Sequence, residues 1–106
     1  MIQVDDMNFM DEVSQATKPT LVCFGSSSCA PCRHMQPILE KLEHDCPDIK
    51  FVKVYAEEAP DTCCQLGIRN VPTIVLFKDS QNLDALVGFQ NEYKLRDFLQ
   101  TNGVCG

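Results

Sequence analysis

Long apolar runs, basic residues and repeated or low-complexity segments are all scarce in this 106-residue sequence. No apolar run approaches the roughly 20 residues that a membrane-spanning helix needs, so we expect no membrane association. Nine lysines and arginines stand against fifteen acidic residues, a net charge of −6 that leaves no basic surface for a phosphate backbone, so we expect no nucleic-acid partner. Without linkers or repeats, the chain fits one domain, residues 1–106.

Cysteine, by contrast, is abundant. There are seven cysteines, an odd number that cannot all pair within one chain. Residues 1–6 lack the basic and then apolar profile of a secretory signal peptide, which predicts a cytoplasmic protein. In such a reducing compartment, abundant cysteines indicate redox chemistry, metal binding or core filling rather than a set of structural disulfides.

Apolar patterning predicts an α/β protein with a central mixed sheet between helices, in the order β-α-β-α-β-α-β-β-α. Asp5 or Asp6 is expected to cap the first helix, Pro37 to kink the second, and Asn91 to cap the last. The predicted strands are 2–4, 20–24, 49–56, 73–77 and 83–87, with a turn at 79–82 and helical segments before Lys18, at 32–45, at 61–66 and after Asn91.

The single Cys-x-x-Cys pair, Cys29 and Cys32, lies between a predicted buried strand and the second helix. A helix N-terminus carries about half a positive charge and unpaired N–H groups, so we expect it to stabilise the Cys29 thiolate as a nucleophile. Cys32 lies one turn further on, within bridging distance and more shielded, which suits a resolving thiol. Pro31 stiffens this loop at a position where the helix needs no N–H group.

Metal binding is the alternative use of this pair. A zinc or iron–sulfur site built on Cys29 and Cys32 would need further ligands, but no second Cys-x-x-Cys occurs, and His34 and His44 have no matching spacing. The sequence therefore predicts no metal site and no bound cofactor, although a metal carrier assembled across a dimer stays open.

Several stretches of the sequence match one known family together. They are Leu21-Val22-Cys23-Phe24, Cys29-Ala30-Pro31-Cys32-Arg33, Pro37-Ile38-Leu39, Gly67 to Thr73, Leu76-Phe77-Lys78 and Val87-Gly88. On these stretches the chain resembles thioredoxins over nearly its whole length. The resemblance implies a thioredoxin fold and a monomeric thiol–disulfide oxidoreductase that reduces protein disulfides. Electrons would come from a thioredoxin reductase or another thiol donor.

The resemblance also implies a substrate-docking edge. Val71-Pro72 would hold a cis peptide bond facing the two cysteines, so that the Val71 backbone can pair with an extended substrate. Gly88 would leave room beside the same groove. The plainer alternatives are a trans proline that opens the next strand and a glycine at a β-bulge.

The active-site loop departs from the family pattern. Ser28 and Ala30 stand where thioredoxins usually have tryptophan and glycine, and the chain has no tryptophan at all. Losing that apolar platform is expected to shift substrate choice and redox potential. Ser28 could cap the helix or hydrogen-bond Cys29, or it could be an ordinary loop serine.

A second departure is Cys23, which stands where thioredoxins bury an aspartate behind the resolving cysteine. A buried thiol is a poor base, so we expect slower resolution, assisted by water, Lys53 or Glu57. The alternatives are that Cys23 is a small core residue or exchanges a disulfide with Cys32. A weakened site also keeps open a different function, a redox sensor or adapter with a thioredoxin fold.

Four further cysteines lie outside the motif. Cys46 falls at a helix end, and Cys105 lies in a tail that is expected to fray. Cys63 and Cys64 are adjacent on a short helix, so at most one can face the core. The exposed one could be oxidised or glutathionylated and tune activity or dimerisation, or all four could be inert.

Overall fold

The computed structural model describes residues 1–105, which form a five-stranded mixed sheet with helices on both faces. The elements in chain order are β1 (Ile2–Val4), a π-helical segment (Met10–Ser14), β2 (Thr20–Gly25), α1 (Ala30–Asp45), β3 (Lys50–Tyr55), a 3₁₀ turn (Ala56–Glu58), α2 (Pro60–Leu66), β4 (Thr73–Lys78), β5 (Gln81–Val87) and α3 (Glu92–Thr101). The predicted α/β class and element order are confirmed. No helix within residues 1–105 is long and apolar enough to cross a membrane.

The strands lie in the spatial order β1-β3-β2-β4-β5, with β2 at the centre. β3 pairs in parallel with both β1 and β2, while β4 is antiparallel to β2 and to β5. Because β2 and β3 are parallel neighbours, the chain between them must cross one face of the sheet, and α1 makes this crossover. Cys23 pairs with Lys53 on β3, which places these two side chains on the same face.

Two apolar clusters cover the two faces of the sheet. Alternating residues of β2 divide between them: Leu21 and Cys23 pack with α1 and α3, whereas Val22 and Phe24 pack with α2 and the π-helical segment. This alternation is the period-2 pattern of a central strand buried on both faces. Because β2 leads directly into α1, the fold places the Cys-x-x-Cys motif at the end of the central strand.

The turn and the first cap differ from prediction. Asp79 and Ser80 have φ of 53° and 67° and alone close the β4–β5 hairpin, so the residues at 81–82 extend β5 instead of forming a turn. Positive φ at both central residues matches the twist of a two-residue hairpin. The Asp5 carboxylate accepts a hydrogen bond from the Met7 N–H at 2.9 Å, but the N-cap of the π-helical segment is Phe9, which makes no side-chain cap. The Asp6 carboxylate instead accepts hydrogen bonds from the N–H groups of Asp61 and Thr62 at the start of α2.

The C-terminal tail is held to the body of the protein. Cys105 forms a disulfide with Cys46, the residue that follows α1, so the prediction of a frayed tail is wrong. The tail folds back because Gly103, at φ 71°, ends α3 and lets the Val104 N–H bond to the carbonyl of Leu99.

Candidate active site

A disulfide joins Cys29 and Cys32 at the N-terminus of α1, with the two Cα atoms 5.3 Å apart. Cys29 is the N-cap residue, with extended backbone geometry, and its Sγ accepts a hydrogen bond from the Cys32 N–H at 3.2 Å. An N–H group of the first helical turn, which has no carbonyl partner within the helix, therefore donates to the Cys29 sulfur. Such a donor and the helix dipole both favour negative charge on this sulfur when the disulfide is reduced.

Three residues of the active-site loop were predicted from the motif: Ser28 precedes the disulfide, and Ala30 and Pro31 lie between its two cysteines. Ser28 does not cap α1, because the Cys29 sulfur occupies that position; Ser28 is exposed, and its Oγ lies 3.4 Å from the Ser26 Oγ. It is a loop serine. Ala30 and Pro31 are the exposed first residues of α1, where proline removes no hydrogen bond.

Ser27 anchors this loop, a role that sequence analysis missed. Its N–H and its hydroxyl both donate to the Glu57 carboxylate, at 3.2 Å and 2.5 Å, across thirty positions of the chain. These hydrogen bonds hold the pKa of Glu57 below its usual value. Glu57, predicted as an aid to proton transfer, is therefore turned toward Ser27 and is a weaker proton acceptor than a free carboxylate.

A cavity of about 330 Å³ lies against Cys32 and not against Cys29. Its walls include Cys23, Gly25, Lys53 and Arg33. The fold thus brings together Cys32 with two residues that were predicted to modulate it, Cys23 and Lys53. Gly25 joins them because it is the last residue of β2, directly beneath the start of α1.

Cys23 lies at the buried side of this cavity, with 6% of its surface exposed. Burial raises the pKa of the Cys23 thiol to about 12, although the Lys53 ammonium acts in the opposite direction. Cys23 is therefore a neutral thiol near pH 7 and a poor base, as expected, and it packs in the core. The Lys53 Nζ lies 4.7 Å from the centre of the Tyr55 ring, a cation–π contact at the rim.

The Val71–Pro72 peptide bond is cis, as the resemblance implies. The Pro72 carbonyl accepts a hydrogen bond from the Gly88 N–H at 2.8 Å. Gly88 has a φ of 91°, and no atom lies within 4 Å of where its Cβ would be, so the space beside this turn is open. Gly88 follows β5, and the irregularity in the β4–β5 pairing lies at Leu76 and Phe77, so the β-bulge alternative for Gly88 is wrong.

The adjacent cysteines of α2 divide as predicted. Cys63 is buried and Cys64 is exposed, and both are unbonded. Burial, with the nearby Asp6 carboxylate, raises the pKa of Cys63. Within residues 1–105, no three His, Cys, Asp or Glu side chains come together as a metal-binding group.

A disulfide at the tip of the helix that follows the central strand lies at the same edge of the sheet as the cis-proline turn, because Thr73 pairs with Phe24. This arrangement defines a thiol–disulfide oxidoreductase. Comparison with known proteins gives the family: the Thioredoxin family model matches residues 1–101. The chain is 40% identical to Thioredoxin 1 of Synechococcus elongatus over 86 residues, 80% of each chain. It is 35% identical to Thioredoxin C-2 of Corynebacterium nephridii over 103 residues, 96% of this chain and 95% of that one.

The chain therefore belongs to the thioredoxin family. A third relative, the thioredoxin of Rickettsia bellii, is 34% identical over 100 residues, 93% of this chain and 95% of its own length. Both cysteines of the motif are present and bonded to each other. The protein is a thiol–disulfide oxidoreductase acting as a protein-disulfide reductase, and the adapter alternative is not favoured.

Proposed function

We propose that Cys29 is the nucleophile and Cys32 the resolving thiol in the reduction of protein disulfides. The observation that carries this assignment is the Cys32 N–H donating to the Cys29 sulfur at the helix N-terminus. It stabilises a thiolate on Cys29, so Cys29 is favoured over Cys32 as the group that attacks a substrate disulfide. Cys32 has no equivalent donor in the first turn, and it lines the cavity beside β2.

The reaction runs in two exchange steps. The Cys29 thiolate attacks one sulfur of a substrate disulfide, forms a mixed disulfide and releases the other substrate sulfur as a thiolate, which takes up a proton. Cys32 then loses its proton to solvent and attacks the Cys29 sulfur. The second substrate sulfur leaves as a thiolate, and the Cys29–Cys32 disulfide forms. The substrate disulfide is thus reduced by two electrons, and Cys29 and Cys32 are oxidised by two.

Val71, Pro72 and Gly88 form the proposed docking edge. The hydrogen bond from Gly88 to the Pro72 carbonyl ties the end of β5 to the turn before β4. Open space beside Gly88 leaves room for an extended substrate backbone. Ser28 and Ala30, both exposed, would meet the substrate without the apolar platform of a tryptophan.

The electron donor is proposed to be a thioredoxin reductase or another thiol protein, with this protein acting as a monomer in the cytoplasm. No bound cofactor is needed because the sulfur atoms themselves carry the electrons. Stable disulfides are rare in reducing compartments, so the presence or absence of the Cys46–Cys105 disulfide in cells tests the proposed cytoplasmic location. Rapid acid quenching of cells, followed by alkylation and intact mass, would report whether that bond exists there.

Trapping the mixed disulfide tests the two cysteine roles. The Cys32→Ser variant should accumulate a covalent adduct with one insulin chain, mapped by peptide mass to Cys29, because the resolving thiol is missing. The Cys29→Ser variant should form no comparable adduct. The Cys64→Ser variant removes an exposed cysteine outside the site and should reduce insulin at the rate of the unmodified protein.

The opposite pattern would overturn the assignment. An adduct on Cys32 in the Cys29→Ser variant, formed as fast as the adduct on Cys29 in the other variant, would exchange the two roles. Insulin reduction at the full rate by a variant that lacks both Cys29 and Cys32 would show that other residues carry the activity.

A further inference from the structure

The second disulfide joins residues 59 positions apart, at the opposite end of α1 from the active site. Cys46 follows α1 and is 4% exposed, while Cys105 lies in the tail after α3 and is half-buried. α1 has sixteen residues, so the two disulfides are separated by about 24 Å along the helix. The Cys46–Cys105 bond is therefore too far from Cys29 to take part in the same exchange within one molecule.

The tail and α3 pack against α1 even without this covalent link. Leu95 and Leu99 of α3 share one apolar cluster with Leu42 of α1, and Val104 packs against the same cluster. Ion pairs add to this contact: Arg96 with Asp45 at 2.5 Å, and Lys41 with Glu92 at 3.1 Å. The disulfide thus closes a contact that the fold already makes, and breaking it does not by itself separate the helices.

The two cysteines of the bond differ in their exposure to solvent. An open cavity of about 530 Å³ is lined by Cys105 together with Gln100, Gly103 and Val104. Cys46 lies in the core cluster beneath. Cys105 is therefore the half of the bond that a small thiolate from solvent would reach first.

We propose that Cys46–Cys105 is a second thiol-exchange site, at which a small thiol such as glutathione enters at Cys105. The glutathione thiolate attacks the Cys105 sulfur, forms a mixed disulfide there and releases the Cys46 thiolate, which takes up a proton. A second glutathione then attacks the glutathione sulfur of the adduct, giving glutathione disulfide and the Cys105 thiol. The reverse sequence, starting from glutathione disulfide, closes the bond.

We expect exchange at this disulfide to be slow, and we expect its redox state to set the thermal stability of the protein. The leaving Cys46 sulfur is buried among apolar residues, with no helix N-terminus to stabilise its charge, so the bond should open more slowly than Cys29–Cys32. Closing a long loop restricts the unfolded chain, so the oxidised protein should be the more stable form. The thermal stability of the protein would then follow the glutathione redox balance.

A variant without the active-site cysteines isolates this site. In the Cys29→Ser, Cys32→Ser, Cys64→Ser triple variant, titration with reduced and oxidised glutathione would be followed by intact mass, peptide mapping and thermal unfolding. We expect a glutathione adduct on Cys105, and a melting temperature lower by about 10 °C or more in the reduced form. Adding Cys105→Ser to this variant should abolish the redox dependence of the melting temperature while the protein remains folded.

Each alternative result overturns the proposal. An adduct on Cys46 would reverse the predicted order of attack. If Cys46 and Cys105 stay reduced throughout the titration, no exchange site exists at this position. A redox-dependent melting temperature that persists after Cys105→Ser would assign the effect to another cysteine. Insulin reduction by the unmodified protein is measured separately, so failure here leaves the active-site assignment intact.

Discussion

A Cβ atom at Gly25 would lie 3.2 Å from the Sγ of Cys32 and 3.3 Å from its Cβ. Both distances are shorter than the roughly 3.5–4.0 Å at which carbon atoms pack best. The φ of Gly25 lies outside the left-handed region, so the glycine is required for space and not for backbone freedom. Its missing side chain lets the first turn of α1 bring Cys32 directly against the end of β2.

Replacing Gly25 by alanine should therefore displace the Cys32 sulfur by a few tenths of an ångström. An off-rotamer side chain costs about 0.5–1.5 kcal/mol, so we expect insulin reduction to slow by about twofold to tenfold. The Gly67→Ala variant is the control, because Gly67 has φ 70° with no atom near its Cβ position. It should lower the melting temperature without slowing the reaction. Equal rates for Gly25→Ala and the unmodified protein would show that the site tolerates the contact.

The Cys23→Asp substitution should speed disulfide reduction near neutral pH. The Cys23 thiol, with a pKa of about 12, cannot accept the Cys32 proton, whereas a carboxylate in the same wall of the cavity can. General-base assistance typically speeds a reaction a hundredfold or more. We expect a smaller increase in rate, at least about tenfold, because burial raises the carboxylate pKa and so leaves part of it protonated near neutral pH. The measurement is the insulin reduction rate from pH 5 to pH 9, with a new inflection from the carboxylate.

The matched control for this substitution is Cys23→Ala. Alanine removes the thiol without adding a base, so its rate should equal that of the unmodified protein if Cys23 is a core residue. A slower rate would instead support disulfide exchange between Cys23 and Cys32. An unchanged or lower rate for Cys23→Asp would show that proton transfer does not limit resolution.

Glu57 is expected to act as an anchor of the active-site loop and not as a proton acceptor. Glu57→Ala removes both hydrogen bonds from Ser27, so the loop before Cys29 should become more mobile and activity should fall by about twofold to fivefold. The shape of the pH–rate profile should stay the same. Glu58→Ala, which removes only a surface hydrogen bond to Gln3, should leave activity unchanged. An inflection lost from the profile in Glu57→Ala would identify it as a base.

Asp6 should contribute stability that depends on pH. Its carboxylate accepts hydrogen bonds from the Thr62 hydroxyl at 2.7 Å and from the Thr62 N–H at 2.8 Å, which lowers the pKa of Asp6 below 3.8. Because the folded-state pKa is depressed, this stabilisation is present above pH 3.8 and is lost as the pH falls through the lower folded-state value. Urea midpoints of the unmodified protein and Asp6→Ala should therefore differ at pH 7 and converge in acid.

The control for Asp6 is Asp11→Ala, which changes an exposed carboxylate on the π-helical segment. Its urea midpoint should stay close to that of the unmodified protein at each pH. A constant difference between the unmodified protein and Asp6→Ala across the whole range would mean that packing, and not charge, explains the effect.

Local patterns in the sequence were enough for the fold class and for the centre of the site. Apolar runs identify the buried strands, Asn91 caps α3 as predicted by accepting from the Lys94 N–H, and Gly67 ends α2. The Cys29–Cys32 pair falls within one helical turn, so its bonding follows from spacing and helix geometry. These features depend on residues a few positions apart, which a one-dimensional pattern can record.

Only the tertiary structure decided which distant residues meet. Cys46 bonds Cys105 because α1 and α3 pack on the same face of the sheet, and Asp6 caps α2 because β1 ends near its N-terminus. Ser27 meets Glu57 because β2 and β3 are parallel neighbours, whose carboxyl ends lie at one edge. The periodicity of apolar residues along the sequence indicates which face of an element a side chain occupies. Which residue it contacts depends on how whole elements are arranged in space.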